Sequence, residues 1–217
     1  MSATSIKLPL FPLDVVLFPG TVLPLYIFEP RYRQMIQDCL DEDQPFGVVL
    51  VKAGGTFMDE ATYPVGTLAE IHNLQRLEDG CYNLMGVGTK RFRIISRSLD
   101  KPYISGSLEL FEEDFQTEDQ LTGLAQQAKN LFSTYLDMLL RAASEQEVHA
   151  NLPEAPEELS YFEAYFLEIE NSKKQQMLEM TSTRQRLEEE VTVLRREVPF
   201  LRQLLSRKLS DDITRLN

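Results

Sequence analysis

The hydrophobic pattern of this chain of 217 residues changes character near residue 115. Before that point, short apolar runs alternate with proline, glycine and aspartate turn signals; after it, apolar residues recur three and four apart. Strands first and helices later argue for an α+β fold or for two subdomains, here 1–115 and 116–217. Hydrophobic residues make up 43% and charged residues 26% of the chain, the ordinary balance of a globular protein with a real core.

The first half opens with Ile6-Lys7-Leu8-Pro9-Leu10-Phe11-Pro12-Leu13. Two prolines three apart each remove a backbone donor, so this segment is expected at a sheet edge or as an extended lead-in. Val15-Val16-Leu17-Phe18 is a short buried run, and Pro19-Gly20 after it meets the needs of the two central residues of a type II turn. Val22 to Phe28 continues extended. Pro30 suits the first helical position, and a helix is expected to Leu40 with Tyr32, Met35, Ile36, Cys39 and Leu40 on one face. The acidic run from Asp41 ends it and should lie exposed outside the helix, because the C-terminal end disfavours negative charge. Further strands are expected at 46–51, 66–77, 81–88, 90–97 and 103–112. Between 52 and 63, Gly54-Gly55 and acidic residues mark a mobile loop, and Asp79-Gly80 suggests a type I′ hairpin. Some six short strands with tight turns and one inserted helix describe a small, partly closed barrel.

In the second half, Leu121, Leu124, Ala128, Leu131, Tyr135, Met138 and Leu139 form one amphipathic face. Pro156-Glu157-Glu158 starts another helix, with proline in its first turn and acid at the positive dipole end, facing inward with Leu159, Phe162, Phe166 and Ile169. A last helical region runs from Met177 to Leu205, interrupted by Arg184; its face suits a bundle better than a coiled-coil seam. Pro199 lies inside it and should cause a kink or a fresh helix start.

Charge and motif content narrow the function classes. The net charge is −12, split as −6 over residues 1–115, −9 over 116–172 and +3 over 173–217. A phosphate-binding protein should carry a basic surface, so nucleic acid is an unfavoured partner. No apolar run is long enough to span a bilayer. Cys39 and Cys81 read as buried thiols of a reducing compartment, cytoplasm or an organelle stroma, and His72 and His149 are isolated, so no metal or other cofactor is expected. There is no Gly-x-Ser-x-Gly elbow and no phosphate loop. Gly86-Val87-Gly88 lacks the third glycine of a dinucleotide fingerprint and reads as bulge or tight-packing glycines. Lys90-Arg91-Phe92-Arg93 reads as a strand with its basic side chains alternating outward.

Leu8-Pro9-Leu10-Phe11-Pro12-Leu13, Val16-Leu17-Phe18-Pro19-Gly20, Leu23-Pro24-Leu25-Tyr26-Ile27-Phe28-Glu29 and Arg31-Tyr32-Arg33-Gln34-Met35 together resemble the opening of the Lon protease N-terminal domain. Phe46-Gly47-Val48-Val49, Gly66-Thr67-Leu68-Ala69-Glu70-Ile71 and the stretch Gly86 to Ile94 continue the likeness, in order, over about residues 6–110. The resemblance implies a PUA-like β-barrel with an inserted helix, followed by a C-terminal helical bundle. It also implies polypeptide recognition; the ATPase and peptidase modules of a Lon protease have no counterpart in this sequence, so binding rather than proteolysis is expected.

Glu29, Arg31 and Arg33 are the candidate polypeptide-binding residues, since the fold alone does not require their charge. The expected partners are unfolded chains or a specific protein, in an adaptor or chaperone-like role. Two other readings stay open at this point: RNA binding by a PUA-like barrel, and assembly through weak self-association of the C-terminal helix.

Overall fold

A computed structural model describes residues 5–52, 54, 61–142 and 151–215 of the chain. The loop expected between Lys52 and Tyr63 falls largely outside the described residues. The element order is β1 (Ile6–Leu13), β2 (Val22–Ile27), α1 (Pro30–Asp41), β3 (Phe46–Val51), β4 (Thr62–Arg76), β5 (Tyr82–Ser98), β6 (Ser105–Leu110), α2 (Glu118–Ala142), α3 (Pro156–Phe166), α4 (Asn171–Glu179) and α5 (Thr183–Arg215). Apart from α1, which lies between β2 and β3, strands come first and helices after, in an α+β fold.

The pairings run in a closed circuit. β1 pairs β3, β3 pairs β4, β4 pairs β5, β5 pairs β6, and β6 returns to β1; β2 hangs from β5 alone. Within that circuit β1 is not the edge strand its prolines suggested. It changes partner along its length: Ile6–Pro9 pair antiparallel with β6, and Leu10–Leu13 pair parallel with β3. Each half therefore has a ladder on one side only, which leaves room for residues without an N–H. The strands expected at 81–88 and 90–97 are one strand, β5, bent by a register shift between Ile94 and Ser96. Nothing at Thr89 signals a turn, so the chain bends rather than reverses.

One core lies between α1 and the sheet and includes Phe11, Leu17, Ile27, Met35, Ile36, Phe46 and Leu84. A second, with Leu10, Val49, Leu68, Phe92 and Leu108, includes residues of all five strands of the circuit. α1 buries Tyr32, Met35, Ile36 and Cys39 as its spacing predicts, but Leu40 is exposed and Asp41 closes the helix from inside. The Pro19-Gly20 turn forms as expected: Gly20 has φ +75°, and Thr21 N donates to Phe18 O at 3.2 Å. Gly20 N donates to Gly88 O and Gly88 N to Thr21 O, both at 2.9 Å, pinning the turn to β5. A Cβ on Gly88 would lie 2.2 Å from Phe18 O, so this glycine is required by close approach.

The chain forms two compact units. The first holds the described residues up to Glu113 together with Ala164–Thr181; the second holds Asp114–Glu163 and the described residues from Ser182 onward. The linear division near residue 115 thus misses the return of 164–181 to the sheet. Three side chains account for it. Gln175 Nε2 donates to Val65 O at 3.0 Å, Asn171 Nδ2 donates to Asp14 O at 2.8 Å, and Arg91 Nη1 donates to the carbonyls of Leu178, at 2.9 Å, and Met180. Arg91 also meets Glu113 at 2.8 Å and lies over the ring of Phe111. It is buried, contrary to the outward alternation expected for the Lys90–Arg93 cluster; Lys90 and Arg93 are the exposed ones.

In the second unit α2 packs along α5, with Ala125, Ala128, Leu159, Leu187 and Val191 at the seam. α3 ends at Phe166, and Phe166 is exposed rather than inward. Its buried positions instead include Leu159, Ser160, Tyr161 and Glu163, so polar residues hold places the apolar pattern could not mark. α5 continues through Pro199 without a fresh start. Pro199 and Arg195, whose carbonyl loses its helical partner, are both exposed, where water can satisfy that carbonyl.

Candidate polypeptide-binding surface

The surface begins with the position of β2. Its residues pair with β5 from Val22↔Val87 to Ile27↔Tyr82, and no other strand among the described residues reaches it. Leu23 and Ile27 turn inward, while Val22, Pro24 and Tyr26 face solvent. Tyr26 is 54% and Phe28 60% exposed, and their rings stack with centroids 5.9 Å apart. At the other end of the strand Val22 is 46% exposed, and its carbonyl accepts a hydrogen bond from Tyr165 Oη at 3.1 Å. That carbonyl therefore points off the free edge. Strand alternation aims the backbone groups of Tyr26 the same way, and Pro24 places its missing donor on the unpaired side.

Helix α1 starts directly after this strand. Glu29 is its N-cap in extended conformation and Pro30 occupies the first turn. Glu29 O accepts from Tyr32 N at 3.0 Å and Arg33 N at 2.9 Å. Its side chain does not cap, because Arg31 holds it: Nε and Nη2 of Arg31 approach Oε2 of Glu29 at 3.0 and 2.8 Å. The Arg31 guanidinium also lies 4.6 Å from the centre of the Tyr32 ring. Arg33 reaches the hairpin between β4 and β5, donating from Nη1 to Asp79 O at 3.2 Å. The three residues singled out in the sequence thus occupy the first turn of α1 and the helix start beside Phe28, with Glu29 and Arg31 paired to each other.

The hairpin departs from the expected type I′ turn. Gly80 alone has positive φ, at +79°, with Gly80 N donating to Leu77 O and Leu77 N to Cys81 O. This is the pattern of a three-residue loop closed by a left-handed glycine. Asp79 Oδ1 accepts from Cys81 N at 2.9 Å, and that bond, with a second from the Cys81 side chain, holds the Asp79 carboxyl below its ordinary range. The Cys81 side chain also hydrogen-bonds Tyr26, which raises the phenol above its ordinary value. Tyr26 is therefore oriented by the hairpin while its ring stays in water. Cys39 and Cys81 are both free thiols and buried; burial pushes Cys39 up to about 12, so it is inert as a nucleophile at neutral pH.

Sequence reasoning singled out the charged residues of this candidate surface and passed over the aromatic ones. Every residue from Val22 to Phe28 is apolar or aromatic, so no alternation distinguishes the faces. The one available signal was Pro24, which marks an edge strand. Among the described residues no helix is long and apolar enough to cross a membrane, and no group of three or more His, Cys, Asp or Glu is placed to hold a metal ion.

Comparison with known proteins places this geometry in a family. The family model described as the ATP-dependent protease La (LON) substrate-binding domain matches residues 7–196. The Lon protease of Dictyoglomus thermophilum is 24% identical over 211 residues, covering 95% of this chain and 26% of its own length. The Lon protease of Escherichia coli K12 is 27% identical over 201 residues, covering 90% of this chain and 25% of its own. The chain therefore spans about a quarter of the length of these relatives. The solved Lon N-terminal domain protein from Xanthomonas campestris superposes with a TM-score of 0.63 at 25% identity, covering 85% of this chain and 96% of that one. The N-terminal domain of the Mycobacterium avium complex Lon protease shares the fold, with a TM-score of 0.63 at 16% identity over 87% of this chain and 98% of that one. The chain belongs to the Lon substrate-binding domain family.

Proposed function

We propose that this chain recognises extended polypeptide segments at the free edge of β2, without chemistry of its own. The observation that carries the reading is the stacked, solvent-facing pair Tyr26 and Phe28 on an edge strand, in a chain whose family is a substrate-binding domain. Exposed aromatic rings held in place offer apolar contact at little entropic cost. The outward backbone groups of Tyr26 offer sequence-independent hydrogen bonds, and Pro24 limits how far a guest strand can pair along the edge. Glu29, Arg31 and Arg33 form the polar rim, where they favour solubility and orientation more than affinity. On this reading the chain acts as an adaptor or chaperone-like binder in a reducing compartment. The net charge of −12 opposes RNA as the ligand.

Fluorescence anisotropy of a labelled, permanently unfolded polypeptide titrated with the chain at two salt concentrations tests the proposal. Saturable binding that persists at high salt is expected. Absence of binding at high micromolar protein would sink capture of unstructured chains and favour a specific folded partner.

A further inference from the structure

The helical unit contains a sealed polar cluster that its apolar packing does not explain. Ser160 and Glu163 of α3, and Arg186 and Glu190 of α5, are each 0% exposed. Arg186 Nε donates to Ser160 Oγ at 2.6 Å, and Ser160 Oγ donates to Glu190 Oε1 at 3.0 Å. The guanidinium lies 4.0 Å from the centre of the Tyr161 ring, and Arg186 Nη2 lies 3.4 Å from Thr183 Oγ1. Glu190 Oε2 and both carboxylate oxygens of Glu163 have no donor among the described residues, and the two carboxyl groups lie near enough to shift each other's proton affinity. Two buried carboxylates in contact repel unless a proton lies between them.

We propose that Glu163 and Glu190 share a proton, and that this proton couples the stability of the helical unit to pH. Burial and the neighbouring Glu163 carboxyl raise Glu190 and outweigh Ser160 and Arg186, which favour its charged form. Among the described residues, the charged groups on neighbouring positions lie toward solvent. α2 meets the α3–α5 seam with Ala125 and Ala128; its Lys129 pairs with the exposed Glu154. On α5, Arg184 and Glu188 pair with each other in solvent, and Glu157 and Glu158 of α3 are exposed.

The sign follows from linkage. Burial raises Glu163 from 4.5 to about 8 and raises Glu190 as well. The folded unit keeps the proton where the unfolded chain has released it. Its contribution is fully present below pH 4.5 and is lost as pH rises to about 8, with the folding equilibrium constant falling about tenfold per pH unit in between.

Two measurements decide this. Denaturant unfolding followed by the helical circular dichroism band, from pH 5 to pH 8, should show the wild-type transition moving steadily to lower denaturant. Glu163→Gln keeps an amide donor to Glu190 but removes the titration, so its helical transition should be flat over that range. Infrared spectra of the folded wild type should show a protonated-carboxyl band at pH 6, absent from E163Q and vanishing above about pH 8. A wild type with no such band at pH 6, or an E163Q variant with the wild-type pH slope, would overturn the proposal. The infrared titration needs only the wild-type chain, so it decides the matter even if the variant fails to fold.

Discussion

The guanidinium of Arg91 meets the carboxylate of Glu113 at 2.8 Å, with both side chains nearly sealed from water, while Nη1 donates to the backbone of Leu178 and Met180. One residue of β5 therefore fastens the end of the sheet segment and the returning helix α4. Removing one member of a buried pair leaves the other charge uncompensated. Arg91→Met is expected to lower the unfolding free energy by about 3–5 kcal/mol. Adding Glu113→Leu should recover part of that loss, because the second change removes the orphaned charge. Denaturant titration of the two single variants and the double variant measures the coupling.

Gly86 and Gly88 look equivalent in sequence and are not equivalent in space. A Cβ on Gly88 would meet Phe18 O at 2.2 Å, whereas the nearest atom to one on Gly86 is 3.6 Å away. Gly88→Ala should cost about 1–3 kcal/mol by forcing the Pro19-Gly20 turn off β5. Gly86→Ala should leave the melting temperature within a few degrees of wild type. Thermal unfolding of the two variants side by side is the check.

Asp38 gives the sheet unit an acid limit. Burial alone would raise this carboxyl, but hydrogen bonds from Lys101 at 2.7 Å, Tyr103 at 2.5 Å and Gln34 at 2.6 Å outweigh it and lower Asp38 to about 2. The contribution is present above the unfolded value of 3.8 and is lost as pH falls through about 2. Asp38→Asn should therefore be less stable than wild type at neutral pH, with the difference shrinking below pH 4. Unfolding curves at pH 7 and pH 2.5 measure that convergence.

Element types were legible wherever one face is buried and the turn chemistry is local. The Pro19-Gly20 turn and the buried face of α1 needed only neighbours in sequence. What escaped depends on distant partners. β1 carries Pro9 and Pro12 inside the circuit because β6 and β3 each take half of it. Arg91 is buried because carbonyls of Leu178 and Met180, almost ninety residues away, wait for it. Ser160 and Glu163 sit in the helical core at positions where an apolar pattern predicts none. At the candidate surface the charges of Glu29, Arg31 and Arg33 stood out, but Tyr26 and Phe28 were hidden in a stretch that is apolar on both faces.

The Glu29–Arg31 pair is partly solvated, with side chains 39% and 24% exposed. Pairs of that kind contribute about 0–1 kcal/mol. Arg31→Ala should accordingly leave the unfolding midpoint nearly unchanged. If it alters polypeptide binding, the effect should be under about tenfold and should fade at high salt, as for a rim charge. Anisotropy titrations at low and high salt read both quantities.

The most direct test of the account compares wild type with Phe28→Ser for binding of a labelled unfolded polypeptide at high salt, with thermal unfolding measured in parallel. Phe28 is exposed, so its replacement should leave stability unchanged while weakening binding about tenfold or more, the loss of one aromatic anchor. A Phe28→Ser variant that is folded and binds as tightly as wild type would contradict recognition at the β2 edge.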